Sequence, residues 1–255
     1  MEHLSQSWST IASDGMVASL LASTGTGLGA LPVIFTSQLS NRWKTLLLSV
    51  GSGIMLSAAA FSLLLPAVRL MEHDLSWPTR IMFLSIAAAG GAALMYGVEN
   101  LWPEPTLEQQ SQSRSIWLFV LAIALHHFPE GLAVGLGTQT THSITIAIGV
   151  ALQNLPEGLM VALALRQLGY GAGSAVALAT MSGWLEPLGS WVGVALVEIG
   201  AVIAPIGMAA AAGAMVFVVI HELLPELNLS AIKGNGSVGV ATGVVMMGMV
   251  QQFLG

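Results

Sequence analysis

Apolar residues run through this chain in blocks of roughly 20 or more, broken by short polar stretches. Nowhere do they alternate with the period of two expected of a half-buried strand. A helix crossing a bilayer needs about 20 mostly apolar residues. The blocks place such helices at 11–36, 43–70, 79–102, 115–137, 141–167, 171–198, 202–229 and 236–254. The pattern thus predicts an all-α polytopic membrane protein, a bundle of eight transmembrane helices. Residues 1–255 are expected to form a single transmembrane domain, because the blocks leave little chain for anything else.

Lys and Arg orient the bundle, since cytoplasmic helix ends carry the excess of positive charge. With the N-terminus outside, Arg42, Lys44, Arg114, Arg166 and Lys233 fall on the inner side, against Arg69 and Arg80 on the outer. Both termini are therefore expected on the outer side. Residues 1–10 contain no Lys or Arg, unlike the basic start of a signal peptide, so the first block reads as a retained helix.

Composition narrows the chemistry. Only 8% of residues are charged and 55% are hydrophobic, against about 25% charged in soluble domains. No basic patch interleaved with aromatic residues is present, so nucleic-acid binding has no support. The formal charge of −6 describes no acidic surface, because several carboxylates fall inside the spans. Cysteine is absent. Any metal must then use His, carboxylate, amide, carbonyl or Met as ligand.

Two spans interrupt their apolar runs at mid-depth in the same way. The fourth carries His126-His127-Phe128-Pro129-Glu130-Gly131 and the fifth Gln153-Asn154-Leu155-Pro156-Glu157-Gly158. An ionisable group inside a membrane span is a functional-site hypothesis by default, because leaving it unpaired in hydrocarbon is costly. His126 and Glu130 are i, i+4 and His127 and Glu130 are i, i+3, so they share one broad helix face. Gln153, Asn154 and Glu157 repeat the spacing. His126 lies about 11 residues into its span and Gln153 about 12, which at ~1.5 Å per residue sets both motifs near the midplane. The short connection between these spans makes them antiparallel neighbours, so the two motifs can face one point. Pro129 and Pro156 cannot donate to the carbonyls of Leu125 and Leu152, which frees a backbone oxygen beside each motif.

Further candidates are more isolated. Glu186 precedes Pro187 at mid-depth in the sixth span, and His221-Glu222 lies toward the inner end of the seventh. Met55, near the middle of the second span, could touch a borderline cation or simply fill the core. In the first span Gly25, Gly27 and Gly29 point to close backbone approach and Pro32 to a kink. Gly171, Gly173, Gly183, Gly189 and Gly193 could serve helix contacts within the chain or between chains. The polar 103–114 stretch reads as a flexible loop, and the loop from Met71 to Asp74 and His142 as solvated.

The doubled polar-polar-x-Pro-Glu-Gly motif resembles the signature of the ZIP (Zrt-, Irt-like protein) family of divalent-metal transporters. The glycine-rich first span, Glu186-Pro187 and His221-Glu222 extend the resemblance over nearly the whole chain. It resembles the bacterial branch without a long His-rich inner loop, which implies the bacterial plasma (inner) membrane. The resemblance implies a binuclear centre. His126, Glu130, Gln153 and Glu157, with Met55, would form a primary site, and His127, Asn154 and Glu186 would join Glu130 and Glu157 around a second. His221 and Glu222 would form an inner exit site. The departure is His127, which stands where the family usually has Asn; an imidazole favours Zn²⁺, Fe²⁺ or Ni²⁺ more than an amide does.

The function expected is uptake of divalent cations into the cytoplasm, Zn²⁺ foremost, with Fe²⁺, Mn²⁺ and Cd²⁺ as further substrates. The lipid bilayer is the expected partner, and the resemblance implies a second copy in a homodimer. Two rivals make distinct demands. An intramembrane metallohydrolase would need an open water position and a general base, and the H-E-x-x-H arrangement is absent, since Leu223-Leu224-Pro225 follows His221-Glu222. A receptor or scaffold with a structural metal would hold its ion without flux.

Overall fold

The computed structural model describes residues 8–36, 40–72, 75–100, 108–139, 143–199, 203–223 and 236–254. These residues are helical with no strand among them. The helices are α1 (Trp8–Ala30), α2 (Asn41–Ser57), α3 (Leu65–Leu70), α4 (Trp77–Asn100), α5 (Glu108–Leu136) and α6 (Ser143–Gln167). They continue with α7 (Ala172–Ser182), α8 (Leu185–Ile199), α9 (Ile203–Val218) and α10 (Ser237–Leu254). A π-helical segment (Ala58–Leu64) joins α2 to α3, and another (Val219–Leu223) extends α9. Each block read from hydropathy corresponds to one rod or one pair of consecutive rods. Five stretches among the described residues are long and apolar enough to cross a membrane, and Ser237–Phe253 is a shorter apolar helix.

Three differences from the hydropathy reading have local causes. The 108–114 stretch, expected to be loop, is the first part of α5. Glu, Gln and Arg are good helix formers, so the helix outlasts the apolar run; hydropathy marks the end of the bilayer, not of the helix. The sixth span is not one helix but two, broken at Gly183 and Trp184. Pro187 sits in the first turn of α8, where its missing N–H is no loss. Pro32 ends the first helix rather than kinking it, opening a 3₁₀ turn (Leu31–Ile34). By contrast Pro129 and Pro156 lie inside unbroken α5 and α6. Residues 73 and 74, 224–229 of the seventh span, and His142 lie outside the described residues.

In lipid there is no hydrophobic force between helices, so close packing of small residues must hold them. Here glycines meet backbone carbonyls across four helix pairs. A Cβ on Gly25 would stand 2.3 Å from the oxygen of Ala151, and one on Gly29 2.0 Å from that of Leu155, which joins α1 to α6. Gly131 and Gly135 meet the oxygens of Glu186 and Ser190 in the same way, at 1.9 and 2.1 Å, joining α5 to α8. Gly91 and Gly213 bring α4 onto α9, and Gly53 and Gly243 bring α2 onto α10. In the first two pairs both partners advance four residues in the same direction, so the helices are parallel. Spans separated by an even number of crossings must be parallel, and both pairs, first with fifth and fourth with sixth, satisfy this. Gly183, Gly189 and Gly193 thus serve contacts within the chain, whereas Gly171 and Gly173 meet nothing within 4 Å.

Gly169, in the turn after α6, has φ +87° with nothing near its Cβ position. A side chain is disfavoured there by backbone conformation alone, by about 1–2 kcal/mol. Gly169→Ala should therefore lower the thermal midpoint of the detergent-solubilised protein by that equivalent while leaving metal binding intact.

Candidate metal centre

The polar residues of the bundle are turned inward. His127, Glu130, Gln153, Asn154 and Glu186 are fully buried, and His126 and Glu157 are nearly so. Large apolar side chains such as Leu21, Leu28, Ile86, Leu94 and Trp184 are exposed on the outside. That inversion suits a protein whose solvent is hydrocarbon.

The glycine contacts set the site. Gly131, one residue after Glu130, seats α5 against the Glu186 carbonyl, so the Glu186 side chain on α8 starts beside the α5 motif. Gly158, one residue after Glu157, seats α6 against the Thr26 carbonyl, 2.0 Å from where its Cβ would be, and draws α1 to the same place. The glycine of each motif is therefore where a third or fourth helix is admitted to the centre.

Ligand atoms of His127, Glu130 and Glu157 all lie within 4.8 Å of one another. Gln153 Nε2 donates to Glu130 Oε1. Asn154 Nδ2 donates to Glu186 Oε1 at 2.7 Å and to the Ala22 carbonyl at 3.2 Å. His127 Nε2 stands 3.9 Å from Glu186 Oε1 and 3.2 Å from Thr26 Oγ1. Both amides turn their N–H groups to carboxylates. Glu130 Oε2, Glu186 Oε2, Gln153 Oε1 and Asn154 Oδ1 are left buried without a protein hydrogen-bond partner.

Three buried carboxylates, Glu130, Glu157 and Glu186, converge here. The chain has no Lys or Arg at 1–41, 115–165 or 167–232, and the two on the motif helices, Arg114 and Arg166, stand toward the ends of α5 and α6, away from the motifs. Burying a charge without a partner costs several kcal/mol per ion even after relaxation. The arrangement of oxygens and one imidazole suits a borderline divalent cation.

The sequence-derived candidates divide accordingly. Glu130, Glu157, Gln153, Asn154, Glu186 and His127 meet at one place. The imidazole grouped with Glu130 and Glu157 is that of His127; His126 is buried but outside that group. Met55 is buried on α2, a helix that reaches α6 where the Cβ position of Gly51 lies 3.2 Å from Pro156. His221 is apart from the cluster, exposed and stacked on Phe217 at 4.9 Å between ring centroids. Glu222 belongs to the π-helical segment, and its side chain lies outside the described residues. Sequence reasoning missed Thr26 and the Ala22 carbonyl. The available signal was a polar residue held between two glycines, Gly25 and Gly27.

Known proteins resemble this chain over most of its length. The profile described as ZIP Zinc transporter matches residues 103–251, which include both motifs, Glu186 and His221. The chain belongs to the ZIP family. Zinc transporter GufA of Myxococcus xanthus is 37% identical over 94% of this chain and 99% of the relative. Zinc transporter ZIPB of Bordetella bronchiseptica is 37% identical over 90% of this chain and 78% of its own length. Zinc transporter ZupT of Corynebacterium aurimucosum is 31% identical over 89% of this chain and 92% of its own. These relatives carry transporter names, not enzyme names. Membership accounts for the eight apolar blocks and the mid-depth motifs together, as parts of an integral membrane protein.

Proposed function

We propose that this protein carries divalent transition-metal cations, Zn²⁺ foremost, across the membrane into the cytoplasm through a binuclear centre between α5 and α6. The observation that carries the reading is the meeting of Glu130, Glu157 and Glu186 with His127 in a region without Lys or Arg. In one position His126, Glu130, Gln153 and Glu157 hold the ion, with Met55 alongside. In the other His127, Asn154 and Glu186 share Glu130 and Glu157. The unpartnered oxygens of Glu130, Glu186, Gln153 and Asn154 replace the hydration shell. Release requires that no one position bind too tightly, which shared carboxylates favour because two cations on common ligands repel.

Inward direction rests on the placement of Arg42, Lys44, Arg114, Arg166 and Lys233 and on His221 and Glu222 as receiving ligands on the inner side. In this reading the whole chain is one transport domain of the bacterial plasma membrane. It works as a homodimer, for which α4, the least buried of the long apolar helices, offers a face. Purified protein in liposomes should accumulate Zn²⁺ driven by its gradient, with Fe²⁺, Mn²⁺ and Cd²⁺ as slower substrates and Mg²⁺ excluded. Accumulation no faster than in protein-free liposomes would refute transport.

A further inference from the structure

Thr26 is the polar side chain of α1 that touches the centre, and nothing in the metal reading so far uses it. It is fully buried. Its backbone is fixed by Gly158, whose Cβ would strike the Thr26 carbonyl, and its hydroxyl is backed by Gly183, whose Cβ would come within 2.9 Å of Oγ1. Both neighbours lack a side chain where Thr26 needs room. The hydroxyl is thereby held 3.2 Å from His127 Nε2. Glu186 Oε1 lies 3.9 Å from the same nitrogen.

We infer that Thr26 is a positioning residue for His127: Oγ1 accepts from Nε2–H and holds the imidazole between α1 and α8, which leaves Nδ1, buried without a hydrogen-bond partner, to ligate the metal and keeps the ring from turning onto Glu186. The inference rests on the transport reading above and deepens it. An outer partner that orients a ligating histidine typically changes metal affinity by about 10–100-fold when removed. A valine has the shape of threonine without the hydroxyl. With valine at this position Nε2–H loses its acceptor, and Glu186 Oε1, already engaged by Asn154, lies 3.9 Å away to take it. A ring drawn there withdraws both an imidazole and a carboxylate oxygen from the ion. Thr26 therefore matters because residue 127 is histidine, and its effect should vanish when that imidazole is gone.

The test is a double-mutant cycle read by equilibrium binding of Zn²⁺ to detergent-solubilised protein, with flux measured in parallel. Thr26→Val should weaken binding by about 10–100-fold and Thr26→Ser should restore it. Gly183→Ala, which crowds the hydroxyl without removing it, should give a loss in the same direction. In a His127→Asn background, Thr26→Val should change affinity less than twofold. Equal losses in both backgrounds would show that Thr26 only packs α1 against α6, and an unchanged affinity in Thr26→Val would likewise overturn the inference. The His127→Asn pair separates misfolding from lost positioning, because a fold defect follows Thr26→Val into either background. Wild-type protein that neither binds nor moves Zn²⁺ would instead overturn the transport reading, and this inference with it.

Discussion

Glu130→Gln and Glu157→Gln together should abolish Zn²⁺ flux while leaving the protein at least as stable without metal as the wild type. The two halves of this result have one cause. Each glutamate is buried near another carboxylate in a stretch without Lys or Arg, so neutralising it relieves a cost of the metal-free site. The same change removes the charge that draws a cation out of water. Each single variant should lose at least the ~10–100-fold in affinity that outer-shell changes alone produce. The clearest readout is thermal unfolding with and without Zn²⁺. A ligand at 100 times its dissociation constant stabilises by about 2.7 kcal/mol, and the double variant should show none of this rise. A double variant that still transports, or that unfolds without metal at a much lower temperature, would mean the carboxylates act as structural ties between helices.

Gly131→Ala should be among the most damaging single methyls in the described residues. The new Cβ would lie 1.9 Å from the Glu186 carbonyl oxygen, and backbone meets backbone there, so no side chain can yield. Overpacking of this kind costs about 1–3 kcal/mol and upward. It would also part α5 from α8 where Glu186 enters the centre, so Zn²⁺ binding should fall along with stability. Gly90→Ala provides the contrast. Gly90 lies mid-helix in α4 with nothing within 4 Å, and alanine is the better helix former by up to about 1 kcal/mol. That variant should be neutral or stabilising in the same detergent melt. If both variants behaved alike, the glycine contacts would not be what holds the bundle.

Much of the centre was legible before any coordinates. The i, i+3 and i, i+4 spacings around Glu130 and Glu157, and the matching depth of the two motifs, follow from helix geometry acting on residues close in sequence. The ZIP resemblance added Glu186 to this set. What sequence could not supply was which atoms would meet. Asn154 reaches Glu186 and Ala22, positions on two other helices, and His127 instead of His126 joins the two glutamates. A helix face is broad enough to hold both histidines, and only the rotation of α5 in the bundle chooses between them. The break at Gly183 and Trp184 was hidden because two apolar helices joined by a two-residue turn add up to the length of one span, so a block of that length does not reveal the turn.

By itself the sequence determined that the chain is a helical membrane protein and that carboxylates, amides and imidazoles interrupt its apolar runs midway along them. Each of these depends on the transfer free energy and helical position of residues taken locally. The tertiary structure decided which helices touch. Glycine gaps in α1, α5, α6 and α8 accept particular carbonyls across the interface, and those contacts bring Glu186 and Thr26 to the centre. Such complementarity belongs to pairs of surfaces far apart in the chain, so no stretch read alone contains it.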